Sequence, residues 1–225
     1  MLAVRPPEFF PRLPVAALLL AADRVVLADT FAFSRQGAHN RARIRTATGT
    51  QWLTVPRQHA PIGTRLDAVG VVDDGWVRRH GHALRTAYGM APYYEHLAPD
   101  VAALLAGSHA SLAALTVATM RWTARMLGVE AEIRVASDLE GAPETLGGVV
   151  QSVGATGLLT LAESAERDRT QAGVPVQVLS LDASGTYRQT FPGFEAGVSS
   201  LDLLMNHGPA SADWLREATR VAPDG

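Results

Sequence analysis

Residues 130–136 read EAEIRVA, residues 158–161 LLTL and residues 174–181 VPVQVLSL; between them lie PETLGGVVQS (143–152) and AESAERDRTQ (162–171). The first three are short, apolar runs bounded by Gly, Pro or Ser, as buried strands are. The other two have helix-compatible length and composition. The order strand, helix, strand, helix, strand predicts crossover units and a Rossmann-like, mostly parallel sheet. Reading back towards the N-terminus, Pro14 to Ala22 predicts a buried helix with a proline near its start. That helix leads into Arg24 to Ala28, another apolar strand able to join the same sheet.

The intervening chain has a different character. Arg41 to Thr46 and Gln51 to Val55 alternate as strands and are joined by Ala47-Thr48-Gly49-Thr50, which predicts an antiparallel hairpin. Leu66 to Val72 is a further β candidate. Asp73 or Asp74 is placed to cap a helix from Trp76 to Tyr88. Trp76, His80, Ala83, Leu84 and Ala87 share one face of that helix. Further helices are expected over Ala98 to Leu105 and Ser111 to Leu127, the second ending at Gly128. Beyond Leu181 come a loop at Tyr187 to Gly197 and helices over Ser200 to Asn206 and Ala212 to Thr219. Ser199 to Asp202 fits a capping box. The whole chain, 1–225, therefore reads as one α/β domain: a Rossmann-like sheet with an antiparallel hairpin insertion and a helical middle segment.

Composition narrows the chemistry. The net charge of −2 gives no bulk attraction to nucleic acid. Cysteine is absent, which removes disulfides and thiolate catalysis. All 20 basic residues are arginine. Schiff-base chemistry, a pyridoxal-phosphate lysine and a P-loop lysine are thereby excluded, and an anion must be held by arginine, backbone N–H groups or a metal. No Gly-x-Gly-x-x-Gly pattern is present, His59, His96 and His109 lack metal-ligand spacing, and no cofactor is specified. No segment reaches the about 18 consecutive apolar residues of a membrane span. Leu13 to Ala22 has the look of a leader, but Glu8, the prolines at 6, 7, 11 and 14, and Asp23-Arg24 argue against one.

Polar density concentrates between Asp29 and Pro56, which predicts a site for a small anionic or hydroxylated molecule. Asp29 and Ser137 each follow a predicted parallel strand, where α/β sheets bind ligands. Arg41 and Arg43 should project from one face of their strand, two forks suited to a phosphate or carboxylate, with Asn40 beside them. His80 is the candidate general base, although a histidine on an apolar face is commonly a core residue. Tyr93, in the turn Tyr88 to Tyr94, offers a ring for stacking.

These residues resemble the WbqC-like protein family. The resemblance runs from Asp23 to about Gly208 through Asp29-Thr30-Phe31-Ala32-Phe33-Ser34-Arg35, Asn40-Arg41-Ala42-Arg43-Ile44, Gln51-Trp52-Leu53-Thr54-Val55-Pro56, Trp76 with His80, Ala91-Pro92-Tyr93 and Ser137, and ends with Tyr187-Arg188-Gln189 and Leu201 to Gly208. It implies a cytoplasmic role near surface-polysaccharide or O-antigen biosynthesis, without fixing the reaction; the first hypothesis for this chain is a transferase acting on a sugar-containing or amino-acid-derived metabolite. Asp29 and His80 would then be catalytic, and Asn40, Arg41, Arg43, Tyr93, Ser137, Gln189, Asn206 and His207 would bind substrate. The run Pro6 to Pro14 departs from the family's usual opening, which has glutamine where Pro6 stands and glycine where Pro14 stands. A member that binds a metabolite or partner without turnover is the alternative. Self-association is left open.

Overall fold

The computed structural model describes residues 1–182 and 184–222. Its main sheet has the order β5 (Glu132–Val135), β2 (Arg24–Leu27), β1 (Leu2–Arg5), β6 (Leu158–Leu161), β7 (Val176–Leu181) and β8 (Thr219–Ala222). All neighbours run parallel except the β7–β8 pair. In chain order this is 3-2-1-4-5-6, the doubly wound arrangement, with its topological switch point between β1 and β6.

Both faces of this sheet are covered, and the strands alternate accordingly. Ala3, Val25, Leu27, Leu159 and Leu161 pack with α1 (Leu13–Ala21) and α4 (Leu112–Met126) into one core. Leu2, Val4, Val26, Ala28 and Leu158 pack with α5 (Leu146–Ser152) and α6 (Ala165–Ala172) into a second. Burial on both faces explains why the strands read as continuous apolar runs.

Between β2 and β5 the chain inserts the hairpin β3 (Arg41–Thr46) and β4 (Gly49–Thr54), then α2 (Trp76–Tyr88), α3 (Tyr94–Ala106) and α4. Ala42, Ile44 and Leu53 join the first core. Near the C-terminus, α7 (Ser200–His207) and α8 (Ser211–Ala218) precede β8. Among the described residues, no helix is long and apolar enough to cross a membrane.

Three local expectations are corrected. Leu66 to Val72 is not a strand: Leu66–Ala68 is a 3-10 turn, because the Leu66 and Asp67 N–H groups donate to the carbonyls of Phe31 and Asp29 rather than to a ladder. Neither Asp73 nor Asp74 caps α2. Gly75 occupies that position in a left-handed conformation (φ 80°), and the Asp73 carboxylate accepts its N–H, turning the chain instead. Ser199 makes no side-chain cap, and the Asp202 carboxylate points into the core rather than back to the helix start. Two strands were not foreseen, β1 and β8.

Candidate functional site

Strands β1 and β6 are in register only at Leu2 and Leu158, whereas β1 and β2 pair along four residues. Their carboxyl ends diverge, and ligands bind at such a switch point. A crevice of about 570 Å³ opens there, within the usual size for small-molecule sites. Its floor is Arg5, which ends β1. One wall is the loop Pro6 to Arg12, another is Glu163, Ser164 and Arg167 after β6, and the roof is Ser34 to His39 with Arg41 and Trp52 from the insertion.

The first loop is rigid. Glu8 N–H points to the Met120 sulfur, and its carbonyl accepts from Thr119 Oγ1. Phe10 holds a positive φ of 42°, fixed by its own N–H bond to Thr119. Strained residues persist where the surroundings over-determine them, commonly at binding sites. The Glu8 carboxylate is buried and accepts from the Arg12 backbone N–H at 3.1 Å and from the Arg12 guanidinium at 2.7 Å. An internal carboxylate therefore occupies the N-terminus of α1, where doubly wound proteins that bind dinucleotides hold a phosphate.

Charge is dense in the crevice. Arg5 donates to Ser164 Oγ at 2.7 Å and to Glu163 at 3.2 Å, while its Nε is buried without a partner. Arg12 donates to Glu163 at 2.8 and 3.1 Å. Burial works against the Arg12 charge, but the hydrogen bonds it donates to Glu163 and Glu8, with their negative charge, outweigh it and hold the guanidinium above its ordinary range. The same bonds from Arg12 hold Glu163 below the usual carboxylate range. Arg41 lies over the Trp52 ring at 4.8 Å and donates to the Gln36 carbonyl.

His39 is the crevice's histidine. Its Nδ1 lies 3.0 Å from the Pro7 carbonyl, which has no proton to give, so Nδ1 carries the hydrogen and Nε2 is the basic atom. Burial pushes this imidazole below its ordinary pKa, keeping it neutral. Gly37 lies against the ring: a Cβ there would come within 2.6 Å of Nε2.

The residues singled out from sequence divide into separate places. Arg41 lines the crevice. Arg43 shares its face, over Trp52 at 5.5 Å, but is held by Thr50 Oγ1. Asn40 donates to the Val55 carbonyl. Asp29 and Ser137 bind each other, Oδ1 accepting the Ser137 N–H at 2.9 Å and Oδ2 the hydroxyl at 2.6 Å. His80 lies in the core between Trp76 and Phe9, its Nε2 on the Thr54 carbonyl at 3.2 Å and its Nδ1 without a partner; burial pushes its pKa down to about 4. Gln189, Asn206 and His207 form a third group. Gln189 bridges Asp202 and Glu195, Asn206 joins Thr190 to the Asp202 carbonyl, and His207 Nε2 meets the Arg188 carbonyl. Tyr93 packs against Gly208, where any Cβ would strike its ring. Another depression of about 560 Å³ on the outer side of α2 is walled by the exposed side chains of Gln51, Arg78, Arg79 and His82 and lacks buried polar groups.

Arg5, Glu8, Arg12, His39 and Glu163 escaped the sequence reading. The adjacent signal for His39 was its place directly before Asn40 and Arg41 at the mouth of a strand. Among the described residues, no three His, Asp or Glu side chains are grouped to hold a metal.

The WbqC-like protein family model matches residues 6–214, which takes in every crevice residue named above except Arg5. The chain belongs to the WbqC-like protein family. An uncharacterised protein of Mycobacterium tuberculosis (strain H37Rv) is 29% identical over 212 residues, covering 88% of this chain and 90% of the relative. No solved structure matches.

Proposed function

We propose that this WbqC-like protein binds a small anionic metabolite, sugar-containing or amino-acid-derived, in the switch-point crevice and transfers a group to or from it. The observation that carries this reading is the meeting of Arg5, Arg12 and Arg41 with a tautomer-fixed histidine at one mouth of the sheet. The arginines hold the anionic part of the ligand by forked hydrogen bonds. His39 Nε2 takes the proton from the attacking hydroxyl or amine, a role that suits a neutral imidazole with its other nitrogen anchored. Trp52, half exposed beside Arg41, supplies a flat apolar surface for a ring of the ligand. The base in this reading is His39 rather than His80, whose nitrogens face the core. The family resemblance suggests the setting, cytoplasmic surface-glycoconjugate biosynthesis.

The test is a thermal-shift screen with nucleotide sugars, amino sugars, amino acids and acyl donors, followed by two variants. A ligand at about 100 times its Kd adds about 2.7 kcal/mol, equivalent to a rise of about 5–10 °C for this size. Arg41→Ala should lose the rise while keeping its own melting temperature. His39→Gln should keep the rise and lose turnover. An undiminished rise in Arg41→Ala would remove the crevice from consideration.

A second reading, binding without turnover, is favoured by one observation. Pro6, one of the two positions that depart from the family's opening, lies in the crevice's first wall. Ligand binding by the wild type and by His39→Gln alike, with no turnover by either beside neighbouring pathway enzymes, supports that reading.

A further inference from the structure

The two acids of the crevice are held very differently. Glu8 is buried and fixed to both the backbone and the side chain of Arg12. Glu163 stands on the 3-10 turn Ala162–Ser164 with its side chain 48% exposed, and its hydrogen bonds run only to Arg5 and Arg12. Its two oxygens take the donors that a ligand's phosphate or carboxylate oxygens would need. Rotation of that side chain into solvent requires no movement of the sheet. It would release one terminal nitrogen of Arg5 and the Arg12 nitrogens that Glu163 now holds, one of which keeps its bond to Glu8.

Charge specifies what fits. With Glu163 turned out, Arg5, Arg12 and Arg41 face the single negative charge of Glu8, a surplus of two positive charges. Arg167 is already paired with Asp168 at 2.8 Å and adds little. A surplus of two positive charges around a part-open mouth suits a dianion, and two adjacent guanidinium forks match the spread of oxygens on a diphosphate better than one carboxylate.

We propose that the Arg5–Arg12 pair is the seat of a phosphate-type dianion on the ligand, and that Glu163 is an internal carboxylate that fills this seat until the ligand displaces it. This rests on the crevice being the ligand site, as argued above, and adds which arginines hold the charge and what competes for them. Glu163 thereby acts as a specificity filter. A monoanion regains less than the ion pairs it breaks, whereas a dianion regains more.

The probe is inorganic pyrophosphate, titrated calorimetrically into the full chain in magnesium-free buffer, with acetate, a monoanion, in parallel. Glu163→Gln keeps the shape of the side chain and removes its charge. It should bind pyrophosphate about tenfold more tightly than wild type, about 1.4 kcal/mol, and gain proportionally more for acetate, so that discrimination between the two narrows. Glu163→Ala should behave similarly, guarding against a hydrogen bond retained by the amide. Equal pyrophosphate affinity in wild type and both variants, with binding still lost in Arg41→Ala, overturns the seat while leaving the crevice as the ligand site. Tightening in Glu163→Gln with no loss of pyrophosphate binding in Arg41→Ala supports the seat and shows that Arg41 does not contact the dianion, leaving the metabolite screen to test Arg41's part in the site. Absence of pyrophosphate binding in all forms overturns the seat, and the metabolite screen then decides the crevice separately.

Discussion

Replacing Asp29 with alanine discriminates a binding role from a structural one. Asp29 is 5% exposed, and its two oxygens receive the N–H and O–H of Ser137. It thereby ties the carboxyl end of β2 to that of β5, across a pair in register from Arg24 and Glu132 to Leu27 and Val135. Hydrogen bonds to a charged acceptor contribute about 1.5–3 kcal/mol each. Two at the lower end, in a part-buried site, give about 3 kcal/mol. For a chain of this length each kcal/mol moves the melting temperature by about 2–4 °C, so Asp29→Ala should melt about 6–12 °C below wild type. Ser137→Ala removes only the hydroxyl bond and should cost about half as much. Because both changes act on one contact, the double variant should melt close to Asp29→Ala alone. Differential scanning calorimetry reads all three, and the ligand's affinity for the folded protein should be unchanged, since neither residue lines the crevice. The reasoning fails if Asp29→Ala melts within about 2 °C of wild type, or if it loses ligand binding without losing stability.

Two further outcomes follow from the other groups. His80 is buried with its folded pKa pushed down to about 4 from the ordinary 6.5. The unfolded chain therefore takes up its proton first, so this histidine's contribution is fully present above about pH 6.5 and is lost as pH falls towards 4. The loss amounts to about 3 kcal/mol at most. Urea titrations from pH 7 to pH 4 should show a shallower decline for His80→Leu than for wild type, and an identical decline would place the acid sensitivity elsewhere. Gln189 holds the loop 187–197 through bonds to Glu195 and Asp202. Gln189→Ala should make that loop a site of limited proteolysis and lower stability by about 2 kcal/mol, while ligand affinity stays unchanged. A protease-resistant variant with weakened binding would instead mark Gln189 as a ligand contact.

The parallel sheet was legible because its strands are buried on both faces, and the crossover helices separate them at regular spacing. The helix Trp76–Tyr88 and the strand Leu158–Leu161 fall where periodicity puts them. Strand β1 was not legible. Four residues at the N-terminus, followed at once by two prolines, give neither period nor length. Missing β1 conceals the switch point, since β1 is its central strand, and with it Arg5, Glu8 and Arg12. His80 drew attention as an isolated imidazole on a helix, yet the ring packs edge-on against Trp76 and tilted against Phe9, which only tertiary packing reveals. Arg41 and Arg43 were rightly placed on one face, because strand geometry alone fixes that. Which of the two borders the crevice depends on where the hairpin sits over the sheet.

The first loop explains why this fold position needs arginine. In a doubly wound sheet the turn after β1 ordinarily brings backbone N–H groups to a phosphate, and glycine allows the close approach. Here the turn is Pro6-Pro7-Glu8, with two residues that have no N–H to offer and a third whose carboxylate covers the start of α1. An anion cannot reach the helix end without displacing a buried, doubly bonded glutamate. In the proposed reading, recognition comes from side chains long enough to reach over that plug, Arg5 and Arg12 at either end of the loop. The same glutamate that closes the backbone site also orients Arg12 towards Glu163 and the open mouth of the crevice. In the proposed reading, the closing of the backbone site and the aiming of Arg12 at the crevice are therefore one structural feature, centred on Glu8.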